Sequence, residues 1–305
     1  MKRFGIFILL LLIALHHSCA VPESLQVHPE EGLPFKITLT GTKGDNPDSR
    51  ISKLKVFLFD DHGVLENEGA ANGSGTVTIL ALPGTGRTIY AIANLDVPAG
   101  SVPDISAMER LTTSLTDNDL QKGLVMVGKK GNISIDMAHQ GCEIEIGRTC
   151  ARIILGPIHN SLEDEGWDSA EFKLISAFIK DVPSSPYGAF SGSYNVPAEF
   201  YRTDALPDLL IHRYDAIIPY GESSSGNIFF YLSPTLPEMS CCLVIEAMIG
   251  GIRHDYEIHL EDIRMNMSYE ISSVRIRRVI EDGLVTDVEI SCGEWAESLT
   301  HDLEF

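Results

Sequence analysis

Short runs in which apolar and polar residues alternate recur along almost the whole chain, each closed by a turn rich in glycine, proline, asparagine or aspartate. A period of two places successive side chains on opposite faces, so these runs describe half-buried strands rather than helices. Phe35, Ile37 and Leu39 point one way, and Lys36, Thr38 and Thr40 the other. The polar loop from Gly41 to Arg50 leads to a strand over Leu54–Phe59, closed by Asp60-Asp61-His62-Gly63. Thr76 to Leu82, Thr88 to Ala93, Leu124 to Val127, Ile133 to Ile135 and Cys142 to Ile146 read as further strands, and Ala151 to Leu155 is apolar enough to be largely buried. Strands are also expected at 172–179, 227–232, 242–249, 256–260 and 268–279.

Two stretches depart from this pattern. In 104–120, Ile105, Met108, Leu111 and Leu115 recur at helical spacing, with Ser101 or Asp104 placed to cap the start. Residues 181–226 are rich in Pro, Ser, Gly and Tyr; they are too long for a structureless loop and are expected to hold short strands that the pattern does not place. The acidic turn from Asn160 to Gly166 marks the expected domain boundary. The sum is an all-β protein: two β-sandwich domains, 33–160 and 161–305, with one short helix in the N-terminal domain.

The tail is patterned to its last residue, where most termini fray. Val288, Ile290 and Cys292 alternate with Glu289 and Ser291; Gly293 breaks the phase; after Trp295, Leu299, His301, Leu303 and Phe305 alternate again. An ordinary final sheet strand has the same pattern.

At the other end, Lys2 and Arg3 precede an apolar run from Phe4 to Leu15, of export-signal length and too short for a permanent span. Ser18-Cys19-Ala20 permits cleavage after Ala20, or before Cys19 as in a lipoprotein. Lipidation of Cys19 is favoured because nothing else accounts for a cysteine there; it makes 1–19 a signal peptide and 20–32, with Pro22 and Pro29, a tether to a membrane surface.

The net charge of −20 opposes non-specific binding to nucleic acid. Beyond the signal the cysteines are Cys142, Cys150, Cys241, Cys242 and Cys292, an odd number without metal spacing. They read as small buried residues, with Cys142–Cys150 the candidate disulfide. No nucleophile elbow, Walker loop or dinucleotide fingerprint occurs. His254 and His259 fall on opposite faces of a strand and cannot share a metal. Glu163-Asp164-Glu165 lacks the Gly and Asn pattern of a calcium loop and reads as a solvated turn. Trp167, Tyr187, Tyr194 and Tyr201 suit either a sugar-binding surface or rim packing, and their scatter favours packing. No catalytic residue, cofactor or metal is expected.

Six segments, in order, resemble the major fimbrillins, the type V pilus subunits of Bacteroidetes. They are Phe35–Thr40; Ile51–Asp60; Thr88-Ile89-Tyr90-Ala91-Ile92-Ala93-Asn94; Leu124-Val125-Met126-Val127-Gly128, where Val127 replaces a small polar residue; Gly147–Ile153 with its two arginines; and Val288 to Trp295 with Phe305. Residues 165–250 do not align with the family pattern. The resemblance implies transthyretin-like sandwiches, export as a lipoprotein to the outer membrane, and proteolytic removal of an N-terminal strand carrying Phe35, Ile37 and Leu39. It also implies assembly into a surface fimbrium when the vacated groove takes a neighbouring subunit's C-terminal strand. Val288, Ile290, Cys292 and Trp295, or Leu299, Leu303 and Phe305, are then the donor candidates. Partners are other pilus subunits and a host or bacterial surface ligand. For the cut, the loop offers Lys43 and Arg50; if neither is used, the chain serves as an anchor or end subunit. A glycan-capturing surface lipoprotein shares the signal and the sandwiches, and predicts a monomer whose tail packs on its own sheet. A secreted hydrolase predicts converging carboxylates.

Overall fold

The structure, a computed structural model, describes residues 32–41, 47–162, 169–195, 198–236, 238–279, 283–284 and 291–294. The first half contains β1 (Leu33–Thr40), β2 (Lys53–Phe59), β3 (Leu65–Asn72), β4 (Thr76–Ala81), β5 (Gly84–Ala93), α1 (Ile105–Glu109), β6 (Thr112–Thr113), β7 (Met126–Ile135), β8 (Gly141–Glu145) and β9 (Gly147–Arg148). The second half contains β10 (Ala151–Leu155), β11 (Ile158–Asn160), β12 (Phe172–Lys180), β13 (Tyr187–Gly188), β14 (Ile211–Ile217), β15 (Ile228–Leu232) and β16 (Ser240–Ile249). It closes with β17 (Ile252–Glu261), β18 (Met267–Ile271), β19 (Val274–Ile276), β20 (Gly283–Leu284) and β21 (Ser291–Glu294). The protein is all-β, and α1 is the single α-helix among the described residues.

Alternation decides which side chains meet. In β2, Leu54, Val56 and Leu58 face a core shared with Phe35 and Ile37 of β1, while Phe57 and Phe59 face the opposite way into a second cluster with Tyr90 and Met108. The first core therefore lies between a three-stranded sheet ordered β4-β1-β8 and a five-stranded sheet ordered β3-β2-β5-β7-β9. A separate core gathers Ile153, Leu174, Leu243 and Ile258 between a sheet ordered β15-β10-β18-β21 and one ordered β14-β12-β16-β17-β20.

Several expectations shift. The packing changes core between Ile146 and Ala151, ahead of residue 160: Ile153, Leu155 and Ile158 already belong to the second core. The reason is pairing, since β10 lies between β15 and β18, both from the second half of the chain. The helical spacing of 104–120 yields α1, whose N-cap Asp104 accepts a hydrogen bond from the Ala107 N–H at 2.7 Å, and a 3-10 turn at Leu115–Asp117. Ile105, Met108 and Leu111 pack in the outer cluster of the first half, but Leu115 belongs to the second core. The chain must leave the helix to reach it, and does so through β6, which pairs with β13. Strand β3 had no apolar signature because it is a half-exposed edge. The segment 181–226 does hold strands, β13 and β14. The expected Cys142–Cys150 bridge is not formed: both are thiols, Cys142 against the first core and Cys150 buried with Leu124 and Tyr231.

Candidate functional site

Strand β1 is the middle of its sheet. It runs antiparallel to β4, with Phe35 opposite Ile79 and Ile37 opposite Val77, and parallel to β8, with Ile37 beside Cys142 and Leu39 beside Ile144. Phe35 and Ile37 are wholly buried and Leu39 nearly so, whereas Lys36 faces outward. Beyond the ladders, the Lys36 N–H donates to Gln140 O, the Leu39 N–H to Gly75 O, and the Ile146 N–H to Thr40 O. Taking β1 away opens an apolar trough and unpairs two strand edges at once.

The next described residues after β1 form a 3-10 turn, Pro47–Ser49, that is clamped by side chains of β9, β10 and β15. Asp48 is 2% exposed. Its carboxylate accepts from the Tyr231 hydroxyl at 2.5 Å and from Arg152 Nη1 at 2.9 Å. Arg152 Nε also donates to Ser268 Oγ at 3.0 Å. Arg148 donates to Asp48 O at 3.3 Å and to Ser49 Oγ at 3.2 Å. Burial lowers the Arg148 pKa, with Asp48 opposing, and raises that of the Tyr231 hydroxyl, with the Asp48 carboxylate adding to the rise. The arginines of the Gly147–Ile153 segment thus tie this turn to β9 of the first-half sheet and to β10 of the second-half sheet.

Arg50 is exposed, but it is held. Its guanidinium donates to Gln121 O at 2.5 Å, and its carbonyl accepts from Asn94 Nδ2 at 2.8 Å. Asn94 ends β5 in the left-handed region, φ 62°. Its Oδ1 accepts from the Ser52 N–H and its Nδ2 also reaches Leu124 O. An asparagine supplies both the backbone conformation and the two-sided amide. Gly123 is required beside it: a Cβ there would lie 2.3 Å from Arg50 O, at φ +114°. Gly128 likewise admits β8, since its Cβ would lie 2.3 Å from Glu145 O.

The remaining predicted positions fall as follows. Cys292 lies in β21, which pairs antiparallel with β18 at a sheet edge, Cys292 opposite Tyr269. Cys19, Lys43, Val288, Ile290, Trp295, Leu299, Leu303 and Phe305 lie outside the described residues, as do Glu163–Glu165 and Trp167. Tyr187 and Tyr194 are packed side by side, centroids 5.7 Å apart, with their hydroxyls on Thr149 O and Pro234 O. Tyr201 packs against the second core. Asp48 carried no signal, because within Asp-Asn-Pro-Asp-Ser-Arg it looks like any polar loop residue.

Residues 36–141 match a family model described as the major fimbrial subunit protein FimA. That span runs from β1 to the start of β8, so it contains the β1 sheet and the strands packed on it. No curated protein matches the chain. Among solved structures, a Bacteroides eggerthii protein described as a cell adhesion protein superposes with TM-score 0.65 at 20% identity, over 88% of this chain and 97% of that one. The fimbrilin of Porphyromonas gingivalis W83 gives 0.59 at 16% identity, over 86% and 96%. The tip fimbrial protein Mfa3 of Porphyromonas gingivalis, truncated at its C-terminus, gives 0.52 at 11% identity, over 86% and 100%. These likenesses show the fold. The family match over residues 36–141 bears out the resemblance to the fimbrillins.

Proposed function

We propose that this fimbrillin-like chain is a structural subunit of a surface pilus, joining its neighbours by strand exchange at the β1 groove and supporting adhesion. The observation that carries the proposal is the position of β1: a middle strand, contributed by the chain's front, that supplies Phe35, Ile37 and Leu39 to the first core. Burying each such side chain is worth ~1.5–3 kcal/mol, so its loss creates a demand of about 5–9 kcal/mol that only a strand of matching alternation relieves. Used head to tail, the contact need not close, and it propagates. The role is structural rather than catalytic, and the two cores are two sandwich domains.

The geometry supports two details of this reading. A cut after Arg50 would shed Asp48 with β1 and leave the Arg152 guanidinium and Tyr231 hydroxyl in the interior without their carboxylate. A cut at Lys43 keeps that clamp, so Lys43 is the preferred site. Of the two donor arms, Leu299-His301-Leu303-Phe305 is preferred, since recruiting the arm that ends in Cys292 competes with its pairing to β18. Before processing, a lipid on Cys19 holds the exported subunit at the outer membrane.

Trypsin treatment followed by mass spectrometry and electron microscopy tests the reading. Cleavage confined to 43–50, followed by a ladder of oligomers, is expected. Deleting 284–305 should leave folding largely intact and abolish polymer. Scattered digestion with monomer throughout overturns the proposal.

A further inference from the structure

We propose that Cys242, Glu257 and His259 form a binding site for a zinc-type divalent cation on the outer face of the β14-β12-β16-β17-β20 sheet. The register of the β16–β17 hairpin makes the site. Cys242 lies directly opposite His259, and Glu257 precedes His259 by one strand repeat on the same face. The Cys242 Sγ, a Glu257 carboxylate oxygen and a His259 ring nitrogen all lie within 4.8 Å of one another. Ligands around a tetrahedral zinc, bonded at about 2.0–2.3 Å, sit roughly 3.5 Å apart, so a shift of about an ångström closes the site. His259 is exposed and free to turn inward, while Cys242 is held at 2% exposure over Phe178 and Val244.

The donor set points to the ion. Thiolate, imidazole and carboxylate together suit zinc and exclude magnesium and calcium, which take oxygen. Three protein ligands leave a fourth position for water or for a donor from another molecule. A cation is already part of the local electrostatics: Lys180, across the sheet from Cys242, places its ammonium 2.5 Å from Glu257 Oε1, and the Cys242 thiol lies 3.6 Å from Glu257 Oε2. A thiol must lose its proton to ligate a metal, so binding expels one proton from Cys242 and parts Lys180 from Glu257. The ammonium is a built-in competitor, and this separates a real site from a lone thiol that happens to bind metal.

The full chain, kept reduced, is titrated with zinc alone by calorimetry in buffers of differing protonation enthalpy, and with cobalt(II) alone by absorption. One ion per chain, close to one proton released at neutral pH, and a thiolate-to-cobalt charge-transfer band are expected. His259→Gln changes an exposed side chain and leaves the fold intact; it should weaken binding at least about tenfold. Lys180→Gln should tighten binding several-fold, and Cys242→Ser should abolish the charge-transfer band. An absence of binding overturns the proposal. So does binding unaffected by both His259→Gln and Lys180→Gln, which places the ion on another cysteine. Neither result bears on strand exchange, which uses other residues.

Discussion

In the first core the strand nearest the chain's front, β1, lies between β4 and β8, whereas in the second core the strands nearest its end, β20 and β21, lie at the margins of their sheets. Losing a central strand breaks two ladders and opens the core. Losing a marginal one breaks a single short ladder. The first core thus depends on the chain's front for a central strand and for Phe35, Ile37 and Leu39. In the second, β20 and β21 add only short ladders at the margins of their sheets.

The largest effect should come from removing residues 33–40. The three inward side chains alone account for about 5–9 kcal/mol, comparable to the whole stability of a domain. Calorimetry should lose the transition of the first core while that of the second persists, and a peptide of sequence 33–40 added in trans should restore it. Loss of both transitions would erase the contrast. Asp48→Ala should come next, at about 3–5 kcal/mol, because it leaves the buried Arg152 without its carboxylate. Since Asp48, between β1 and β2, is gripped by Arg152 of β10 and Tyr231 of β15, urea unfolding followed by separate probes should show the two cores losing their coupling.

Alkali should reverse the order of fragility. Cys241 is fully buried in the second core, and burial pushes its thiol from 9.0 up to about 12. Below pH 9 the thiol is neutral in both the folded and unfolded chain and stability is retained. Between pH 9 and 12 only the unfolded chain ionises, so stability falls, by up to roughly 4 kcal/mol for this thiol. Cys241→Ala should flatten that alkaline loss as followed by circular dichroism, at some cost in packing at neutral pH. The smallest effect belongs to the tail. Removing 284–305 takes away the marginal pairing of β20 and β21 and should cost about 1–2 kcal/mol, a few hydrogen bonds' worth, as read from urea unfolding. A loss as large as that from removing 33–40 would break the comparison.

Much of the first core was legible because a strand's inward face is written at every second residue. Phe35, Ile37 and Leu39, and Leu54, Val56 and Leu58, could be assigned to one face without any knowledge of what they touch, and all are buried in a single core. The same rule put His254 and His259 on opposite faces, and they are: one is buried, the other exposed. It was silent on Cys242, which shares a face with His259 only through the hairpin register. It misled at Leu115, whose helical spacing from Leu111 hides the fact that the two serve different cores.

By itself, the sequence determined the class of fold, the strand at the front with its apolar face, and the matching alternation of the tail. These depend on backbone geometry and the burial of apolar surface, both set by residues within a few positions of one another. Only the tertiary structure decided that β1 is central and parallel to β8, that the packing changes core before Ala151 rather than after Asn160, that Asp48 is a buried clamp, and that Cys242, Glu257 and His259 meet. Each of those rests on which distant strands pair and in what register, a choice made by the free energy of the whole assembled core and by no local stretch of the chain.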